Sequence, residues 1–283
     1  MGETFNIHEL IGYGDDIDRD VELDITGVVD ESKEGTYPIK ITLTDDAGNK
    51  NTKDMEVHVV ESYSPGRGGS SEDFSDFISK YKNPNTSVGI DISRFQEDVD
   101  FEQVKAAGCE FVYMRIGGYD RGTYYTDKYY QNNIAGAKAA GLKVGVYWHA
   151  EDSSVADVNT SVKYLMEILQ DEELDFPIVY DWEDFECFED YDMSLNDLNT
   201  CFEAFANGVE ARGYSACLYS SLNFLENTWK NEEDHLVWLA HYTNQTSYTG
   251  DYFMWQHASD GRIPGVNGDV DLDVLYLDEY NPF

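Results

Sequence analysis

Two patterns of apolar and polar positions divide the chain. Over residues 3–62 the pattern has period two: Val21-Glu22-Leu23-Asp24-Ile25, Tyr37-Pro38-Ile39-Lys40-Ile41-Thr42-Leu43 and Met55-Glu56-Val57-His58-Val59 each alternate. Asp46-Ala47-Gly48-Asn49 separates the last two as a turn. Successive side chains leave a strand on opposite faces, so this pattern predicts a small antiparallel β domain over residues 1–62. Residues 63–86 change character. Ser64-Pro65-Gly66-Arg67-Gly68-Gly69-Ser70-Ser71 has the composition of a flexible linker, and a short helix is expected over 73–81 before Pro84. From residue 87 onward, short apolar runs alternate with segments of helical period. Strands are expected at 88–92, 110–116, 143–149, 177–183, 215–220, 236–242, 252–257 and 270–275, and helices at 101–107, 128–140, 156–169, 194–212 and 222–229.

The first five of these strands alternate strictly with helices, which argues for parallel strands joined by right-handed crossovers. The last three are joined by 9 and 12 residues, too few for a crossover helix with its turns. The expected fold class is α/β: an irregular TIM-like barrel of five β/α units plus three further strands over residues 87–283, behind the small all-β domain. An open doubly wound sheet is the alternative. It is disfavoured because no Gly-rich phosphate loop follows the first strand.

Composition narrows the function. An apolar share of 41% permits a packed core. The 21 Tyr, 14 Phe and 5 Trp suit the walls of a sugar cleft, since a Tyr or Trp ring offers an apolar face and a polar edge, although a Tyr-rich core and surface explain them equally. A formal charge of −37, spread along the whole chain, argues against nucleic acid and anionic membrane as partners, because both reward Lys and Arg. No apolar run is long enough to span a membrane, and the first 25 residues lack the apolar core of a signal peptide. The four cysteines form no C-x-x-C motif. Cys109 and Cys217 lie in apolar runs and read as buried thiols, while Cys187 and Cys201 flank an acidic loop and are open to pairing.

In a parallel barrel the reactive side chains gather where strands end. Three expected strands carry acids there: Gly89-Ile90-Asp91-Ile92, Tyr180-Asp181-Trp182-Glu183 and Asp269-Val270-Asp271-Leu272-Asp273. On a strand, positions i and i+2 share a face. Asp181 and Glu183 are therefore expected to project together, Cβ atoms roughly 6–7 Å apart, with Trp182 turned away. Two close carboxyls on a low-dielectric wall cannot both ionise easily, and the one whose pKa rises can serve as a general acid.

Several segments together resemble a lysozyme of glycoside hydrolase family 25, a muramidase. They are Gly89-Ile90-Asp91-Ile92-Ser93 with Gln96, Phe111-Val112-Tyr113-Met114-Arg115, Gly141-Leu142-Lys143-Val144-Gly145-Val146-Tyr147, Asp181-Trp182-Glu183-Asp184, Gly213-Tyr214 with Tyr219-Ser220, Trp238-Leu239-Ala240-His241-Tyr242, Trp255-Gln256 and Val270-Asp271-Leu272-Asp273. The resemblance implies cleavage of the β-1,4 bond between N-acetylmuramic acid and N-acetylglucosamine in peptidoglycan. It implies Glu183 as proton donor, Asp181 as its partner acting on the acetamido group or a water, and Asp91 and Asp271 as two outer acids. Asp273 stands where relatives more often carry Asn, and His149 is displaced by one position from the usual Tyr-His. Arg115 is expected either to pair with Asp91 or Asp181 through a bidentate bond or to contact the substrate. Tyr147, Tyr219, Tyr242 and Trp255 lie near strand ends, where they can stack on sugar rings or serve packing alone. The resemblance implies no metal and no cofactor, a monomer acting on peptidoglycan glycan strands, and an extracellular or cell-wall location. Gly35-Thr36-Tyr37-Pro38-Ile39-Lys40-Ile41 followed by Thr44-Asp45-Asp46-Ala47-Gly48-Asn49 resembles bacterial immunoglobulin-like modules of surface proteins, which act as spacers or adhesive units.

Overall fold

The computed structural model describes residues 11–61, 71–170, 172–230 and 235–282; Met1, Gly2 and most of the expected linker lie outside them. The described residues fall into two compact units, 11–61 with 184–198, and 71–183 with 199–282.

The first unit holds one antiparallel sheet in the order β1 (Glu22–Thr26), β2 (Gly35–Thr44), β3 (Lys50–Val59). Its period-two pattern buries Ile39 and Ile41 against Leu23, Ile25, Met55 and Val57. The Asp45 carboxylate closes the β2–β3 hairpin by accepting from the Asn49 backbone N–H and side-chain amide, each at 2.7 Å. An immunoglobulin sandwich packs two sheets, whereas the described residues here form one of three strands. Residues 184–198, expected within the barrel domain, belong to this first unit. Leu195 N–H donates to the Asp15 carbonyl at 2.8 Å, and Arg19 Nε pairs with Asp197 Oδ2 at 2.8 Å. A 3-10 helix, Phe185–Tyr191, lies in this segment and had no periodic signal to announce it.

The second unit opens with α1 (Phe74–Tyr81), then runs β4 (Thr86–Ile92), α2 (Phe101–Ala106), β5 (Phe111–Asp120), β6 (Thr123–Thr126), α3 (Tyr130–Ala139), β7 (Lys143–His149), α4 (Val155–Leu169) and β8 (Ile178–Asp181). It continues through α5 (Leu195–Glu210, whose first turn lies in the other unit), β9 (Ala216–Ser221), α6 (Leu222–Asn227), β10 (Leu236–Ala240), β11 (Met254–Gly261) and β12 (Val270–Tyr276). Strands β4, β5, β7, β8, β9, β10, β11 and β12 pair in a ring that closes through β12–β4 and β4–β5. The sheet is therefore a closed eight-stranded barrel rather than an open doubly wound sheet. Neighbours from β4 through β11 are parallel, even where no helix lies between β10 and β11. β12 is antiparallel to both its neighbours. β6 is an added antiparallel strand on β5.

The helices form where polar and apolar positions separate by face. α4 buries Val158, Val162, Leu165 and Leu169 along one side and starts at Ser154, whose hydroxyl accepts from the Asp157 N–H at 3.2 Å. Large rings fill the barrel. Phe111, Tyr113, Phe176 and Trp238 are buried together, and Gly89 makes room, since a Cβ there would sit 2.4 Å from the Phe111 ring.

Candidate active site

The parallel strands bring their C-terminal ends to one rim of the barrel. β4 delivers Asp91 there and β8 delivers Asp181. β12 runs the other way, so its beginning reaches the same rim, and Asp271 pairs in register with Asp91. Asp91, Asp181, Asp271 and Glu183 line one pocket, together with Tyr147, Tyr219 and Tyr242. Its empty space is about 510 Å³, part of it open solvent.

Seven of the nine sequence-predicted site residues meet here, but the local geometry differs from expectation. β8 ends at Asp181, so Glu183 lies beyond the strand on the turn that follows. Trp182 does face away from the pocket's carboxyls: it is fully buried, and its indole N–H donates to the Asp152 carbonyl at 3.3 Å. Arg115 and Trp255 do not line the pocket. Arg115 is buried and pairs with Asp127, Nε to Oδ2 at 2.9 Å, rather than with Asp91 or Asp181. The Trp255 indole is turned to the His241 carbonyl at 2.8 Å and edge-on to Tyr81. Trp238 and Gln256 also line the pocket. Both follow from strand alternation, Trp238 two positions before Ala240 on β10, and Gln256 opposite in facing to Trp255 on β11.

Gln256 organises the site. Its Oε1 accepts from the hydroxyls of Tyr219 at 2.8 Å and Tyr242 at 2.9 Å, while its Nε2 donates to Asp91 Oδ2 at 2.8 Å. Behind Asp91 lies Asp273, wholly buried, whose Oδ1 accepts from the Trp238 indole at 3.0 Å. Asp181 and Glu183 are neighbours lining the same pocket.

These carboxyls hold their protons more tightly than free acids. Burial pushes Asp181 well up, and the neighbouring charge of Glu183 adds to it. Burial also raises Glu183, which remains open to solvent on the pocket side. Asp91 is raised by burial and then by Asp273. Asp271 is pushed up to about 9 by burial and the charges of Asp91 and Glu183. Arg115 opposes this at Asp181 by favouring the ionised form. All four cysteines are free thiols, including Cys187 and Cys201. Burial pushes Cys109 up to about 12, far from the reactive thiolate range. Among the described residues no helix is long and apolar enough to cross a membrane, and no group of three or more His, Cys, Asp or Glu is arranged to hold a metal ion.

Residues 90–266 match the sequence profile of the glycosyl hydrolases family 25. An autolytic lysozyme of Clostridium acetobutylicum is 29% identical over 187 residues, covering 65% of this chain and 54% of the relative. Lysozyme M1 of Streptomyces globisporus is 25% identical over 198 residues, 65% of each chain. This chain thus spans only about half the length of the Clostridium relative. A family 25 glycosyl hydrolase of Bacillus anthracis shares the fold with a TM-score of 0.60 at 20% identity, over 69% of this chain and 89% of that one.

Proposed function

Since the chain belongs to glycosyl hydrolase family 25, we propose that it is a muramidase, cleaving the β-1,4 bond between N-acetylmuramic acid and N-acetylglucosamine in peptidoglycan. The observation that carries this reading is the convergence of Asp181 and Glu183 on one pocket with Asp91 and Asp271. Glu183 is the general acid. It is the member of the pair open to solvent, and burial raises its pKa. Asp181 acts on the acetamido group next to the reacting carbon, or on a water. Asp91 and Asp271 bound the opposite wall. Tyr147, Tyr219, Tyr242 and Trp238 supply ring faces and hydroxyl edges for the sugar.

Such a substrate places the action outside the cell or in its wall. We read the N-terminal sheet as an immunoglobulin-like module that serves as a spacer, and the enzyme as a monomer without cofactor. Loss of turbidity of a purified cell-wall suspension tests the central assignment. Glu183→Gln should clear it about 10²–10⁴-fold more slowly than the parent. Equal clearing would remove Glu183 from its role, and release of no reducing ends by the parent would replace hydrolysis with wall binding alone.

A further inference from the structure

Beside the acid pocket, the loop after β4 presents a different chemistry. Phe95, four residues beyond Asp91, is 70% exposed, the highest of any aromatic among the described residues. The Arg94 guanidinium lies 5.1 Å from its ring centroid and that of Arg115 5.4 Å; both also lie about 6 Å from the Tyr125 ring, at 6.0 and 5.9 Å. In a chain with 56 acidic residues, Arg94 makes no ion pair among the described residues. Asp127, which accepts from the Arg94 backbone N–H at 3.0 Å, is already committed to Arg115 Nε at 2.9 Å and the Tyr129 N–H at 3.0 Å. Arg115 is 6% exposed, and its buried Nη2 has no hydrogen-bond partner.

The cluster is built rather than incidental. Asp127 ties the Arg94–Phe95 loop to β5. Tyr125 lies on bare backbone, because a Cβ on Gly118 would sit 2.6 Å from its hydroxyl. Arg115 on β5 pairs in register with Tyr147 on β7, which lines the pocket, so the cluster borders it.

We propose that Arg94, Phe95 and Tyr125, backed by Arg115, form a saccharide subsite for a sugar bearing a carboxylate, its ring stacked on Phe95 and its carboxylate held by the Arg94 guanidinium. This rests on the hydrolase reading above. The acid pocket repels an anion, and an uncommitted planar guanidinium beside an open ring is the local exception in a strongly negative molecule. N-acetylmuramic acid carries a lactyl carboxylate and N-acetylglucosamine none, so the subsite sets the register of the glycan on the pocket.

Calorimetric titration in the inactive Glu183→Gln background tests this with a peptide-free oligosaccharide of alternating N-acetylglucosamine and N-acetylmuramic acid, and with the same glycan as its lactyl methylamide. The parent should bind the acid form about tenfold more tightly than the amide. Arg94→Gln should lose that difference and bind the amide as the parent does. Phe95→Ala should weaken both glycans alike. Equal affinity of the parent for acid and amide, or an equal loss on both with Arg94→Gln, overturns the subsite while leaving the hydrolase reading standing. Binding of neither glycan by the parent overturns both.

Discussion

The end of β8 and the start of β12 each bring two carboxyls to the barrel, and the pairs differ in depth. At β8 the strand stops at Asp181, and Glu183 sits on the turn beyond, open to the pocket. At β12 the strand continues. Asp271 is at the mouth, but Asp273, two positions on, is wholly buried beneath Trp238. The same i, i+2 spacing thus gives one pair that trades protons with solvent and one acid that cannot reach it. A carboxyl's role in a barrel is set by where its strand ends, not by the spacing alone.

The comparison can be broken at its shallow end first. Asp181→Asn keeps the shape but removes the titratable carboxyl that the proposed mechanism places beside the acetamido group, and should lower kcat in wall hydrolysis by about 10²–10³-fold with little change in KM. A variant as active as the parent would leave β8 with one functional acid.

The deep end should behave oppositely. Burial holds the folded pKa of Asp273 well above its unfolded value of 3.8. Its contribution to stability is then complete below about pH 4 and is lost as pH rises through the folded value. Asp273→Asn keeps an acceptor for the Trp238 indole and adds a donor toward Asp91. It should gain roughly 2 kcal/mol over the parent at pH 8 and far less at pH 4, measured by urea denaturation, while retaining activity. Removing the Asp273 charge and giving Asp91 a donor should also lower the Asp91 pKa, which carbon-detected NMR of its carboxyl can follow. Equal stability gains at both pH values would show that the Asp273 pKa is not raised on folding.

A third buried acid lies outside the pocket and sharpens the contrast. Asp152 is wholly buried, accepts from the Ser161 hydroxyl at 2.6 Å, and is pushed up to about 7, chiefly by burial. By the same sign, its stabilising share fades between about pH 4 and pH 7. Asp152→Asn should raise Tm by a few degrees at pH 8, and by less at pH 4, with hydrolysis unchanged. A fall in kcat would tie Asp152 to the site through Trp182, whose indole it receives.

Much of the barrel was legible because its strands are buried on both faces and its helices on one, and those two demands write different periods into the sequence. The eight barrel strands and five of the helices follow from that pattern. β6 and the 3-10 helix at Phe185–Tyr191 do not, since neither repeats long enough to establish a period. The direction of β12 was equally silent, because pairing direction leaves no mark on a single strand's pattern. The acids were legible from strand ends. Arg115 and Trp255 lie off the pocket lining for one reason: a position near a strand end fixes height in the barrel but not which way the side chain turns. Asp127, on the turn after β6, captured Arg115, and nothing in local spacing couples residues on two separate elements. The membership of residues 184–198 in the first unit is a tertiary contact of the same sort.

The closure of the ring through β12 has a consequence for how the protein is made. The acids of the pocket enter the chain far apart: Asp91 first, Asp181 and Glu183 next, and Asp271 last, on the strand that pairs with the one bearing Asp91. A nascent chain halted before Val270 already contains Glu183, yet its barrel has a missing stave and its pocket no fourth wall. The four acids therefore meet only once β12 has emerged and closed the ring.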